Sequence, residues 1–163
     1  MKKLFRINFN MLNQFNILLF VVIFLLISIS SASAEMISIK GDNINLRKGP
    51  GTKYSILWEF GNGYPLQIVS KKGNWIKVKD FEKDSGWIHK SLLNHSPHVI
   101  VKVNRNNNNK INIRKGPGTS KQIVGKAQYG VVFKTLNRKS GWINVEHESG
   151  LKGWIKENLL WGY

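Results

Sequence analysis

Apolar and polar residues alternate in several short stretches of the chain. Ile37 and Ile39 flank a serine, and Ile44 and Leu46 flank an asparagine. In the sequence WIKV at positions 75–78, a period of two places the isoleucine and valine on one face and the tryptophan and lysine on the other. Such alternation predicts β-strands with one buried face.

Glycine-rich turns separate these stretches and set the length of each predicted element. We predict further strands at 56–60, 65–69 and 86–89, with a short helical turn at 91–93. No window has an apolar period of 3.6 residues long enough for a helix. Several short strands within about 60 residues predict an all-β fold in which each unit is a small closed barrel.

The pattern occurs twice, 67 positions apart. The sequence NLRKGPGT at 45–52 returns as NIRKGPGT at 112–119, and the same shift carries Trp75 onto Trp142 and Trp87 onto Trp154. Without any gap, 19 of the 51 positions from 43 to 93 are identical to their partners. The chain therefore contains two tandem copies of one small unit.

The first 34 residues differ from both copies. Three basic residues precede an unbroken apolar run at 17–27, and small residues follow up to Ala34. This layout predicts a secretory signal peptide cut between Ala34 and Glu35, with no stable membrane insertion after cleavage. The alternative is a retained N-terminal anchor, although a spanning helix needs about 20 apolar residues. The predicted domains are 1–34 (signal peptide), 35–94 (first repeat), 95–98 (linker) and 99–163 (second repeat).

Charge and cysteine content narrow the possible partners. Removing 34 residues with three basic groups leaves 129 residues with a formal charge of 22 − 9 = +13. A positive surface attracts polyanions; since the predicted export argues against nucleic acid, we expect an anionic cell-envelope polymer or a periplasmic protein. The alternative is that the basic residues only keep a small β-protein soluble. The sequence has no cysteine, which excludes disulfides and thiol chemistry.

The ordered motifs resemble the bacterial SH3-like (SH3b) domain. In both copies they run asparagine–aliphatic–arginine, Gly-Pro-Gly, a strand with a glycine turn, Trp-x-x-Val and Gly-Trp-Ile. The resemblance implies a small β-barrel, an exported, periplasmic or extracellular location, and non-covalent binding of peptidoglycan or other envelope material. We expect no enzyme activity, cofactor or metal. The alternative function is a periplasmic adaptor that binds a partner peptide.

Aromatic and arginine side chains near the Gly-Pro-Gly loops are the candidate ligand-binding residues. They are Tyr54, Trp58, Trp75, Trp87 and Arg47 in the first repeat, and Trp142, Trp154 and Arg114 in the second. For the four tryptophans repeated between copies, packing beneath the loop is the alternative to lining a groove. For the arginines, the alternatives are stacking on a ring or bonding loop carbonyls, and binding an anionic ligand. Trp58 and Phe60 could instead fill the core of the first repeat.

Other polar clusters suggest weaker sites. Asp80, Glu82 and Asp84 could bind a cation but are expected to form a solvated turn. His95 and His98 lack a third ligand and are expected to be solvated. The asparagine run at 106–109, next to Arg105, predicts a protruding hairpin tip.

Overall fold

The computed structural model describes residues 35–163, and the predicted signal peptide lies outside them. Its cleavage between Ala34 and Glu35 therefore stays a prediction, as do the domain boundaries. The described part is all-β apart from two single-turn 3-10 helices, Lys90–Leu92 and Glu157–Leu159. Within it, no helix is both long enough and apolar enough to cross a membrane.

Each repeat forms its own seven-stranded antiparallel sheet. The strands of the first sheet are β1 (Met36–Ile39), β2 (Ile44–Arg47), β3 (Ile56–Phe60), β4 (Pro65–Lys72), β5 (Trp75–Lys79), β6 (Ser85–His89) and β7 (Leu93–Asn94). Those of the second are β8 (His98–Val101), β9 (Ile111–Arg114), β10 (Ile123–Ala127), β11 (Val132–Lys139), β12 (Trp142–Glu146), β13 (Lys152–Lys156) and β14 (Leu160–Gly162). The spatial order β3-β2-β6-β5-β4-β1-β7 recurs in the second sheet as β10-β9-β13-β12-β11-β8-β14.

The predicted closed barrels are wrong in one respect: strand pairing does not close either sheet. The ladder of the first sheet runs from β3 to β7, and these two end strands are not neighbours. β7 has only two residues before the chain continues towards Pro97, which has no N–H to donate. Register shifts in the β2–β3 and β4–β5 pairs mark bulges, which increase strand bending and twist. Each sheet thus encloses an apolar core without a continuous ring of hydrogen bonds.

The two cores consist of the inward residues that the alternation predicts. In β5, Ile76 and Val78 are buried, whereas Trp75 and Lys77 are half-buried on the other face. Equivalent residues make up most of the second core, in which Phe133 is the largest fully buried side chain. Because the sequence has no disulfide, burial of these side chains is the main favourable contribution to the free energy of folding.

Aromatic rings join the two repeats. The ring of Phe81, from the first repeat, lies with its centroid 5.5 Å from that of Tyr129 and 6.2 Å from that of Trp161. On its own side it lies 6.4 Å from the ring of Tyr64. We call the contact region around Phe81 the inter-repeat joint. Because it buries apolar rings of both repeats, it holds them together more firmly than a short linker alone would.

The acidic loop is part of this joint, so its expected role as a solvated turn is wrong. Asp80 is buried, and its Oδ1 accepts the backbone N–H groups of Glu82 at 2.9 Å and Asp84 at 2.8 Å. This turn aims the Glu82 carboxylate at the second repeat, where it accepts a hydrogen bond from the Tyr129 hydroxyl and pairs with Arg105 at 3.2 Å. Burial raises the pKa of Asp80.

Two expectations for the linker region are also wrong. His95 is exposed as expected, but His98 is half-buried rather than solvated, and its ring packs on Gly63 of the first repeat. The run at 106–109 is not a hairpin tip, because β8 and β9 on either side of it are not neighbours in the sheet. It belongs to a loop that carries Arg105 to Glu82. Ser38 adds a further link by donating a hydrogen bond to the Ser96 carbonyl at 2.9 Å.

Candidate functional site

The Gly-Pro-Gly loop of the first repeat is held by an arginine at its base. Arg47 ends β2, and its Nη1 donates to the carbonyl oxygens of Thr52 at 3.1 Å and Tyr54 at 2.9 Å. The backbone N–H of Lys48 bonds the Ser55 carbonyl at 2.9 Å and closes the loop. Of the alternatives for Arg47, the structure therefore shows bonding to loop carbonyls.

Tyr54 covers this loop from outside. A Cβ added to Gly49 would lie 2.5 Å from Cδ1 of the tyrosine ring, so the ring rests directly on the glycine backbone. Tyr54 is still 38% exposed, which leaves one side of the ring open. Trp58, the other aromatic residue that the sequence predicts for this binding surface, lies on β3.

A row of outward side chains crosses the sheet next to the loop. Arg47 is paired with Trp87 in the β2–β6 register, and Trp87 is paired with Lys77 in the β6–β5 register. Directly paired residues project to the same face, and all three are half-buried, each directly after a buried residue in the chain. The sheet thus brings together a guanidinium, an indole and an ammonium group.

A groove of about 260 Å³ lies between the loop and the end of β6. Its side chains include Asn45, Arg47, Thr52, Trp75 and His89. The rings of Trp75 and His89 meet edge to face, with centroids 5.4 Å apart. We call this feature the loop groove. It combines an aromatic wall with polar donors and acceptors, which suits a ligand that has both apolar and hydrogen-bonding surfaces.

His89 is the groove residue that the sequence reasoning missed. Its Nδ1 accepts from the backbone N–H of Ser91 at 3.4 Å and lies 2.8 Å from Ser91 Oγ, so it caps the 3-10 turn. It lies directly opposite Trp75 in the pairing of β5 with β6. The strand pattern alone does not show that the two rings would meet.

The second repeat keeps the framework of this site but changes its side chains. Arg114 Nη1 donates to the Lys121 carbonyl at 2.7 Å and is paired with Trp154. Trp142 is half-buried and is paired with Lys156, where the first repeat has His89. Since lysine lacks a ring, the edge-to-face wall of the first repeat has no equivalent here.

Trp58 is a surface residue, whereas Phe60 is a core residue. Trp58 is 55% exposed on the edge strand β3, while Phe60 is 8% exposed and stacks on Tyr64 with centroids 4.3 Å apart. Core filling therefore accounts for Phe60 but not for Trp58. In the second repeat Gly125 takes the place of Trp58, and Leu151 covers it closely.

Tyr54, Ile56, Leu57 and Trp58 are all exposed on β3 and the loop before it, and we call this segment the apolar strip. Ile56 is paired with Arg47 and shares the face of the row described above, whereas the bulge pairs Trp58 with Leu46 on the other face. Within residues 35–163, no group of three or more His, Cys, Asp or Glu side chains is arranged to hold a metal ion.

Comparison with protein families agrees with this duplicated architecture. A family model described as the bacterial SH3 domain matches residues 40–95 and again residues 107–162. The chain belongs to the bacterial SH3 domain family. The predicted resemblance and the tandem arrangement of two copies are thereby confirmed.

Relatives of this bacterial SH3 protein are longer than it is. A protein of Bacillus subtilis (strain 168) named as an N-acetylmuramoyl-L-alanine amidase, YrvJ, is 26% identical over 139 residues, which are 82% of this chain and 26% of the relative. The chain thus spans about a quarter of the length of that relative.

Among solved structures, NlpC1 from Trichomonas vaginalis is 18% identical with a TM-score of 0.32, covering 82% of this chain and 47% of the other. An NlpC/P60 family protein from Bacillus cereus is 14% identical with a TM-score of 0.35, covering 79% and 56%. At TM-scores this low, structural similarity says nothing about function.

Proposed function

We propose that the protein is an exported, non-catalytic binding protein that recognises peptidoglycan or another anionic cell-envelope component. The observation that carries this proposal is the loop groove with its adjoining row, where Trp75, Trp87 and His89 lie beside Arg47 and Lys77. Aromatic rings can stack on sugar or peptide groups, and the basic side chains can pair with carboxylates.

Family membership and the named relative support this proposal. The resemblance to bacterial SH3 domains implies envelope binding. The relative YrvJ, which is similar to most of this chain, is named for an activity on cell-wall material. The net positive charge adds long-range attraction to anionic polymers, which depends on salt concentration.

The absence of catalysis is part of the proposal. The sequence contains no cysteine nucleophile and no recognised serine–histidine–acid motif. We expect incubation of purified sacculi with the protein to release no soluble peptide or sugar fragments above the level of a heat-inactivated sample. Release of fragments with time would overturn this part of the proposal.

The apolar strip on β3 favours a second candidate, an adaptor that binds a partner peptide. β3 is an edge strand with exposed Ile56, Leu57 and Trp58. An edge strand has free backbone groups that can pair with an extended peptide, and apolar side chains can then add specificity. The partner would be a periplasmic protein.

Co-sedimentation with purified sacculi separates the two candidates. We expect the protein to sediment with sacculi and retention to fall as salt rises, because part of the attraction is between exposed charges. Lys77→Glu should weaken retention by roughly tenfold, because it turns one attractive charge contact into a repulsive one. Lys139→Glu makes the same change in net charge at the end of β11 and is the matched control.

Equal losses in the two variants would mean that net charge alone is responsible, and the groove proposal would fail. If the protein ignores sacculi but co-purifies with one protein at a fixed ratio, the adaptor function is correct instead. Circular dichroism of both variants should match the unchanged protein, because both lysine side chains project away from the cores.

A further inference from the structure

A second recess lies between the repeats, away from the loop groove. Its volume is about 470 Å³, and it is lined by Asn62 of the first repeat and by residues of the second that include His98, Lys134, Glu146 and Glu148. We call it the inter-repeat cleft. The second repeat supplies most of its lining, and the first repeat adds Asn62.

Charges of both signs are arranged in order along one wall of this cleft. His98 is paired with Lys134 in the β8–β11 register, Lys134 with Glu146 in the β11–β12 register, and Glu146 with Lys152 in the β12–β13 register. Directly paired side chains share a face of the sheet. The wall therefore presents imidazole, ammonium and carboxylate groups in sequence, and the Lys152 ammonium group follows next to the cleft lining.

Only part of this charge is neutralised internally. Glu146 Oε1 lies 3.2 Å from Lys152 Nζ. Within residues 35–163, neither Lys134 nor Glu148 forms an ion pair within 4.0 Å. One cationic and one anionic group at the cleft are thus free to meet a ligand.

His98 adds a hydrogen-bond acceptor to the lining of the cleft. Its Nδ1 lies 2.9 Å from the Ser96 carbonyl oxygen, which can only accept, so Nδ1 carries the proton and Nε2 is the acceptor. Burial, together with the nearby Lys134 ammonium, lowers the pKa of His98 and keeps the ring neutral at pH 7. A neutral imidazole can accept a hydrogen bond from a ligand amine.

The first repeat has no such wall. The corresponding row pairs Met36 with Gln67, Gln67 with Lys79 and Lys79 with Ser85. It holds a single charged side chain. The zwitterionic arrangement is therefore a property of the second repeat at the joint and not of the shared fold.

We propose that the inter-repeat cleft binds a peptide whose end carries an amino-acid zwitterion, with Lys134 pairing its carboxylate and Glu148 pairing its ammonium group. Asn62 closes the cleft from the first repeat. This inference rests on the proposed envelope function, because it names the part of an envelope peptide that a second site on the same protein would take.

Two soluble tripeptides that differ at one group test the idea. One is L-Ala-γ-D-Glu-meso-diaminopimelate, whose side chain ends in an amine and a carboxylate; the other carries L-lysine at the third position, which keeps the amine and lacks the carboxylate. Since Lys134 and Glu148 are exposed, each ion pair should add only modest affinity. We expect roughly fivefold tighter binding of the diaminopimelate peptide in calorimetric titration.

Lys134→Gln should remove this preference and leave the affinity for the lysine peptide unchanged. Glu148→Gln should weaken both peptides, because both have the amine. Lys139→Gln makes the same charge change as Lys134→Gln away from the cleft and is the matched control. Amide resonances of residues 134 and 148 should shift on titration in the unchanged protein.

Equal affinities for the two peptides, or a preference that survives Lys134→Gln, would overturn the inference. If neither peptide binds while sacculi still retain the protein, the cleft assignment fails and the envelope function stands. If the peptides bind with the expected preference but sacculi do not retain the protein, the proposed function fails and the cleft is a site for free peptides.

Discussion

At the scale of single residues, equivalent positions of the two repeats have different environments. Phe60 and Ala127 both lie in a core, but Trp58 is exposed and its counterpart Gly125 is covered by Leu151. Where the first repeat has Asp84, the second has Leu151 at the equivalent position. Only the first repeat exposes a large aromatic residue on this edge, because the second has glycine at that position and covers it with a leucine.

Truncating the two neighbouring aromatic residues should therefore have unequal effects on stability. We expect Trp58→Ala to lower the free energy of unfolding by less than about 1 kcal/mol, because the side chain is mostly in water. Phe60→Ala should cost about 3–5 kcal/mol, because it leaves a cavity beside Tyr64. Urea unfolding of the two variants measures both values, and similar losses would contradict the surface placement of Trp58.

At the scale of the element, the Gly-Pro-Gly loop is ordered by its contacts and not by its backbone alone. Arg47 bonds two of its carbonyls and Tyr54 rests on Gly49. The equivalent loop of the second repeat keeps the arginine, with one carbonyl bond, but has Lys121 in place of the tyrosine. The two loops therefore share a motif but differ in the contacts that hold them.

This difference predicts unequal effects for one substitution made in both loops. Neither Gly49 nor Gly116 has a φ in the left-handed region, so alanine is compatible with both backbones. In Gly49→Ala the new methyl group would collide with the Tyr54 ring, and we expect a loss of about 1–3 kcal/mol.

Gly116→Ala is the matched control for that collision. Its added Cβ would lie 3.2 Å from Lys121 Cγ, and a flexible side chain can move aside. We expect a change within about 0.5 kcal/mol. Thermal unfolding followed by circular dichroism compares the two, and equal losses would show that the tyrosine contact does not order the loop.

At the scale of the whole molecule, the joint between repeats unites features that looked unrelated in the sequence. The acidic loop, the asparagine-rich loop and His98 all meet there. Gly63 has a φ of +77° and also contacts the His98 ring, so both its backbone and its lack of a side chain are needed. The joint gives the two repeats a shared stability.

Stability of the joint should depend on pH through His98. Burial and Lys134 lower the pKa of His98 in the folded state, so the unfolded state, with a histidine pKa of about 6.5, binds the proton more readily. The stabilisation is complete above about pH 6.5 and is lost as the pH falls through that value towards the lowered pKa.

The variant His98→Asn isolates this effect, because asparagine can still donate to the Ser96 carbonyl but does not titrate. We expect the free energy of unfolding of the unchanged protein, relative to the variant, to rise between about pH 5 and pH 7. Urea midpoints at four pH values provide the measurement. A difference that is independent of pH would show that His98 titrates alike in both states.

Much of the fold could be predicted from local sequence. The period of two identified the buried face of β5, and glycine turns predicted the bounds of β3 as the structure has them, Ile56–Phe60. The duplicated motifs identified the two copies. These features are local or repeated, so each depends on residues that are close in the sequence.

Part of the candidate site could be predicted as well. Arg47, Trp75 and Trp87 were expected near one another and near the loop, and the register confirms that Arg47 and Trp87 are paired. His89 was missed, because its contact with Trp75 depends on how two strands align. The closed barrel was wrong, because the strand pattern does not reveal whether the two end strands come within hydrogen-bonding distance of each other.

The sequence by itself determined that this protein has two copies of an SH3-like unit, most of the strands that form them and, in strands such as β5, which residues face a core. Only the tertiary structure decided that the repeats share a joint, that Glu82 bonds a tyrosine 47 positions away and that a charged cleft opens beside it. Hydrophobic periodicity is read over a few neighbouring residues, whereas these contacts depend on how two completed sheets pack against each other.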